Sequence, residues 1–135
     1  MRRPGLSLGA VLVVGAAVAA SPLLARVVRS WQWRVAVQGH SMEPALRAGD
    51  WLLVDPLAYE AQNPQAGELV VARDPRAPQR WLVKRVAEVR PEGTLNLVGD
   101  HPAHGVEDLR EVPAGALLGR PWLRYWPPER AGRLG

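Results

Sequence analysis

Ser41 lies in the turn Gly39-His40-Ser41-Met42-Glu43-Pro44, and 43 residues further on comes Lys84, the single lysine of a chain with sixteen arginines. A serine hydroxyl needs a base within hydrogen-bond reach to attack near neutral pH, and a neutral lysine is one such base. Arginine cannot stand in, because its guanidinium keeps its proton in proteins. Codon bias accounts for the sixteen arginines but not for where the exception falls. It sits in Trp81-Leu82-Val83-Lys84-Arg85-Val86-Ala87, a run with strand-like alternation. On a strand Leu82, Lys84 and Val86 share one face, so the amine meets apolar neighbours. Lowering a lysine from ~10.4 to ~7 takes about 4 kcal/mol, which burial against apolar side chains supplies.

Around the serine, Gly39 lets the backbone come close and Pro44 breaks the segment off, which leaves the Ser41 N–H available to an oxyanion. Composition alone also fits an exposed serine in a Gly/Pro loop. His40 adjoins Ser41, yet neighbouring side chains on an extended chain point apart, so it is not read as the base. Glu43 and Asp50 read as solvent-facing or capping groups. Asp100, His101 and His104 raise a metal reading, but the Pro102-bearing turn spaces them poorly, and no metal or other cofactor is expected. With no cysteine in the chain, disulfides, thiolate metal sites and a cysteine nucleophile are excluded.

The elements that must carry these residues read as β. Short runs rich in Val, Leu and Trp alternate with Gly, Pro, Asp and Asn. Strands are expected at 34–37, 51–54, 68–73, 80–90 and 94–98, with one or two more in 117–125. Pro91-Glu92-Gly93 turns the lysine strand back as a hairpin. Thirteen prolines and thirteen glycines favour bent strands, hence a small curled β domain over 31–126, followed by a loosely ordered tail at 127–135.

Residues 1–30 read as a membrane anchor. Positions 5 to 25 carry no charge, and as a helix they reach ~31 Å, enough to cross a bilayer core. Ala17-Val18-Ala19 also offers the small-x-small pattern of a cleaved secretory signal. Trp31 and Trp33 come next, where indoles settle among headgroups, and both also fit ordinary core residues. The net charge of +4 is not a nucleic-acid signal. Five of the 17 basic residues fall within the first 34 positions, where no acid occurs, leaving 12 basic against 13 acidic groups in the rest. The expected partners are therefore a lipid membrane and a protein substrate, with no nucleic acid. The arginines are nearly balanced across the span, so charge does not orient it.

Four segments in order resemble the boxes of the type I signal peptidases, the S26 serine peptidases. Val37-Gln38-Gly39-His40-Ser41-Met42-Glu43-Pro44-Ala45-Leu46, continued by Gly49-Asp50 and Leu52-Leu53-Val54, resembles the nucleophile box. Ala66-Gly67-Glu68-Leu69-Val70-Val71 resembles the second box, Val83-Lys84-Arg85-Val86 the lysine box, and Val98-Gly99-Asp100 the start of the last. The resemblance implies a β domain on an N-terminal anchor, with Ser41 as nucleophile and Lys84 as general base. It also implies oxyanion and substrate contacts at Gly39, His40 and Met42. The implied substrate is a precursor protein whose strand pairs with an edge strand near the serine, with small residues at the cut site. In the last box Asp100 is kept, and Asp108 with Arg110 match the family's supporting aspartate and arginine. The serine that helps orient the lysine has no counterpart.

The small size and the ending from Leu118-Gly119-Arg120 to Arg124-Tyr125-Trp126-Pro127 resemble the proteases that mature nickel-type superoxide dismutase. A signal peptidase with its catalytic domain on the extracytoplasmic side is the alternative within the family. Outside it stand a catalytically inactive, membrane-tethered β domain that binds extended peptides, and the self-cleaving repressor fold. Pro44, Gly99-Asp100 and the apolar span argue against the repressor.

Overall fold

The structure is a computed structural model that describes residues 21–101 and 108–135. The expected anchor falls on 5–25, so most of it lies outside the described residues. Its last positions open a helix, α1 (Pro22–Trp31), started by Ser21, whose hydroxyl accepts the Leu24 amide at 3.2 Å, with proline at the first helical position. No helix among the described residues is long and apolar enough to cross a membrane.

Eight strands follow among the described residues: β1 (Val35–Ala36), β2 (Trp51–Asp55), β3 (Leu69–Asp74), β4 (Ala77–Val89), β5 (Leu95–Val98), β6 (Leu109–Val112), β7 (Leu117–Trp126) and β8 (Gly132–Arg133). They form one antiparallel sheet in the order β1-β2-β7-β3-β4-β5-β6, with β8 also on β7. Pairing slips at several points, between Leu53 and Val54 and between Val86 and Glu88 among them, and each slip adds the bend and twist of a bulge. The expected mainly β, curled domain is what forms. The expected strands all appear, and 91–93 closes the β4–β5 hairpin.

Alternation along β3 divides its side chains between two cores. Leu69 and Val71 join Val35, Val37, Met42, Leu46, Leu52 and Val54 in one. Val70 and Ala72 join Leu82, Val86, Leu95, Leu97, Leu109 and Val112 in the other.

Two expectations change. The tail at 127–135 is not loose: it makes a 3-10 turn at Pro128–Arg130, pairs with β7 through β8 and packs Leu134 against the first core. Trp33 is not a free headgroup anchor, since it stacks on Trp81 with ring centroids 5.7 Å apart.

Candidate active site

β4 carries Lys84 opposite Val70 of β3, between Leu82 and Val86, as the alternation requires. The residue is 1 % exposed, and it is the one basic side chain in the buried set among the described residues. Its Nζ donates to Ser41 Oγ at 3.3 Å across 43 residues of sequence. The long reach of the side chain lets a residue packed on one strand meet a hydroxyl on a separate loop.

That loop is tied down at both ends. The Val37 amide donates to the Asp50 carbonyl at 2.8 Å and the Gly49 amide returns to the Val37 carbonyl at 2.9 Å. Between them Met42 and Leu46 are buried in the first core, and the Leu46 amide bonds the Met42 carbonyl at 2.9 Å. Gly39 has φ +75°, a left-handed conformation that a side chain disfavours, and it turns the chain toward Ser41.

A second segment lies against the serine. A Cβ on Gly99 would stand 2.6 Å from the Ser41 carbonyl oxygen and 3.1 Å from the Ser41 Cβ, so only glycine fits. The His101 amide donates to that same carbonyl at 2.8 Å. The Ser41 backbone is therefore held by the loop after β5, a contact that sequence spacing does not reveal.

A groove of ≈ 400 Å³ opens beside the pair. Val35, Val37, Met42, Trp81 and Val83 line it together with Ser41 and Lys84. Its two long sides are strand edges. β1 ends the sheet, and β5 pairs with β4 only from Arg85 onward, so 79–84 have no strand partner on that side among the described residues.

The other expected site residues divide. Met42 fills two roles, buried in the first core and exposed just enough to line the groove. His40 turns away to bond Glu43 through Nδ1 at 2.6 Å, and that hydrogen bond is the main cause holding the Glu43 carboxyl below its ordinary value. Asp100 is paired with the residue next to Lys84. It grips the neighbouring Arg85 with both oxygens at 2.8 and 2.9 Å, while Arg85 also reaches the Gly67 carbonyl at 2.8 Å. The Asp100 hydrogen bond raises the guanidinium above its usual value. Asp108 accepts the Gly99 amide at 3.4 Å, while Arg110 is exposed on β6 and borders a separate depression with Glu88 and Asn96. His104 lies outside the described residues. Among the described residues no group of three or more His, Asp or Glu could hold a metal ion.

Of the two sequence readings of Asp50, solvent-facing fails and capping holds, since its carboxylate accepts the Arg47 amide of the turn that it closes. It is buried, 2 % exposed, and its carboxylate takes the Arg47 amide, Arg124 and Arg130 at 2.9, 3.2 and 3.0 Å. The sequence signal available is weak, since Arg124 and Arg130 have only one acid, Glu129, between them.

The arrangement combines a serine hydroxyl, a buried amine and a groove between two strand edges. A family model described as signal peptidase, peptidase S26, matches residues 7–93. The mitochondrial ATP-independent inner membrane protease subunit 1b of Arabidopsis thaliana is 31% identical, with 72% of each chain covered. The mitochondrial inner membrane protease subunit 2 of Danio rerio is 26% identical over 85% of this chain and 75% of its own. Signal peptidase I of Aquifex aeolicus strain VF5 is 39% identical over a shorter stretch, 34% of this chain and 18% of its own. The family match covers well over half of the chain and spans the serine turn and the lysine strand, so this protein belongs to the S26 signal peptidase family.

Proposed function

We propose that this chain is a membrane-tethered serine endopeptidase that removes leader or signal segments from precursor proteins. The observation that carries the reading is the 3.3 Å approach of a buried Lys84 amine to Ser41 Oγ. Desolvation favours the uncharged form of an amine, which is the form that takes a proton.

In the proposed cycle Ser41 Oγ attacks the scissile carbonyl and its proton passes to Lys84 Nζ. The Ser41 amide, with a neighbouring donor, holds the oxyanion. Lys84 returns the proton to the leaving amine as the C–N bond breaks, leaving an acyl ester on Ser41. Water, activated by the same amine, then hydrolyses the ester. No cofactor enters any step.

The groove supports an extended substrate that pairs with the edges of β1 and β4, with small side chains entering its shallow apolar wall. The uncharged run 5–25 supports a single membrane span, and relatives named as inner membrane proteases fit it. On the signal peptidase reading, the catalytic domain stands on the extracytoplasmic side.

The test is cleavage of precursor peptides by wild type, Ser41→Ala and Lys84→Arg, using an Ala-x-Ala secretory junction and a nickel-dismutase leader. Wild type is expected to cut one junction, and both variants to lose ~10⁴-fold or more in kcat. The junction that is cut separates general signal cleavage from dismutase maturation. A wild type that binds these peptides yet cuts none would overturn the enzyme reading in favour of a peptide-binding domain.

A further inference from the structure

The groove beside Ser41 carries charges that the cleavage chemistry does not use. Ser41 and Lys84 line one end of it, and Arg34 and Arg80 line it further along the two edge strands. From Lys84 back to Arg80 is four residues of β4, a rise of ~13 Å on a strand. Both arginines are exposed. No acid occurs among the described residues that line the groove. A basic domain does not explain this, because residues 35–135 hold 12 basic against 13 acidic groups.

A ring stack gathers the two arginines at one end. Trp33 and Trp81 lie with their centroids 5.7 Å apart and their planes at 17°, which joins the entry to β1 with the edge of β4. Arg34 follows the first ring in the chain and Arg80 precedes the second. Arg34 is further held in place, since it donates to the Trp31 carbonyl at 2.8 Å and its guanidinium lies 4.8 Å from the Trp31 ring centroid. A guanidinium fixed in this way has less freedom to lose on meeting a carboxylate. Gln38 and Gln79, also exposed in the groove, add neutral donors beside the two cations.

We propose that this end of the groove selects precursors with an acidic side chain about four residues before the bond that is cut. The proposal deepens the reading of the groove as the substrate site and rests on it. The half of the substrate in the groove is the acyl half, which must stay on Ser41 while the leaving half departs and water enters. A strand paired with β4 from Lys84 to Arg80 then brings its fourth residue level with the arginines. Charge at this place acts on the choice of substrate more than on raw affinity: a carboxylate is matched, and a lysine or arginine meets like charge.

The test reads binding apart from chemistry, because Ser41→Ala holds a peptide without cutting it. Full-length Ser41→Ala protein in neutral detergent is titrated into fluorescein-labelled Ala-x-Ala peptides that carry Asp, Asn or Lys at the fourth residue before the junction or, in a second set, at the fourth residue after it. Anisotropy gives each Kd. At the upstream position Asp is expected to bind about fivefold tighter than Asn and at least about tenfold tighter than Lys. The order should shrink at high salt and be absent from the downstream set. Adding Arg80→Glu is expected to remove the order, and adding Arg34→Glu with it to reverse the order. Each order is taken within one protein, so partial loss of folded material does not imitate it. Equal binding of the three upstream peptides overturns the proposal while leaving the groove as the substrate site. A preference for acid in the downstream set, or an upstream order that survives both substitutions, also overturns it. Absence of binding by every peptide overturns the proposal and the substrate-site reading together. If the upstream order holds while wild type cuts none of the peptides, the proposal stands and only the enzyme reading falls.

Discussion

Arg130 donates through Nη2 to Asp50 Oδ2 at 3.0 Å across 80 residues, which joins the end of the chain to the base of the loop that carries Ser41. Arg124 shares that oxygen at 3.2 Å and also donates to the Ala45 carbonyl at 3.0 Å. The two guanidiniums offset the charge of a carboxylate that is otherwise out of water. Removing it leaves both guanidiniums without their counter-charge, so Asp50→Ala is expected to cost about 3–5 kcal/mol in urea unfolding. Arg130→Ala leaves Arg124 in place. Its Nε is a buried donor without a partner, which lowers its net worth, so the expected loss is smaller, about 1.5 kcal/mol.

Gly99 touches Ser41 more closely than any side chain allows. Gly99→Ala sets a methyl 2.6 Å from the Ser41 carbonyl oxygen, and the two backbones must separate. A displacement near 1 Å at a reacting group costs roughly 10²-fold in rate. The expected outcome is a kcat lower by about that factor with far-UV circular dichroism unchanged. A variant with wild-type kcat would show that the Gly99 contact does not position the serine.

Arg85 and Asp100 link β4 to the segment that holds Ser41, and Arg85 extends the link to Gly67. Lysine cannot reproduce the two-pronged contact. Arg85→Lys is therefore expected to lose on the order of 1–2 kcal/mol of stability, with Asp100→Asn similar. A double-mutant cycle on the pair checks the coupling. Near-additive losses would mean that the two side chains act separately.

The docking of α1 depends on pH through Asp55. Burial pulls its carboxyl up, but the Arg29 hydrogen bond, the Leu57 amide and the charges of Arg29 and Arg26 outweigh that and hold it below its ordinary value. A depressed folded value means that the contribution to stability is complete above the unfolded carboxylate value, near ~3.9, and is lost as pH falls through the folded value. Amide exchange of residues 22–31 is expected to accelerate in that acid window in wild type. In Asp55→Asn it should be fast already at neutral pH and show no further acid step.

The β character, the strand positions, the hairpin after Lys84 and the candidate pair are legible because each rests on a local signal: alternation, turn residues, or a motif in order along the chain. Leu109–Val112 carries no such signal, since Leu-Arg-Glu-Val interrupts its apolar ends with two charges and becomes a strand only by pairing with β5. The segment after Trp126 reads as a loose tail because Pro127-Pro128 and the small residues beyond it carry no core signal, while its order comes from Asp50 and β7.

By itself the sequence determined which side chains are available for chemistry, a lone lysine on an alternating apolar strand and a serine on a Gly/Pro turn, because composition and periodicity are properties of neighbours along the chain. Only the tertiary structure decided that the amine stands 3.3 Å from the hydroxyl, that Gly99 and the His101 amide hold the serine backbone, and that α1 turns its arginines inward. These are distances between residues far apart in sequence, set by how a bent sheet closes on itself, and no local pattern encodes them.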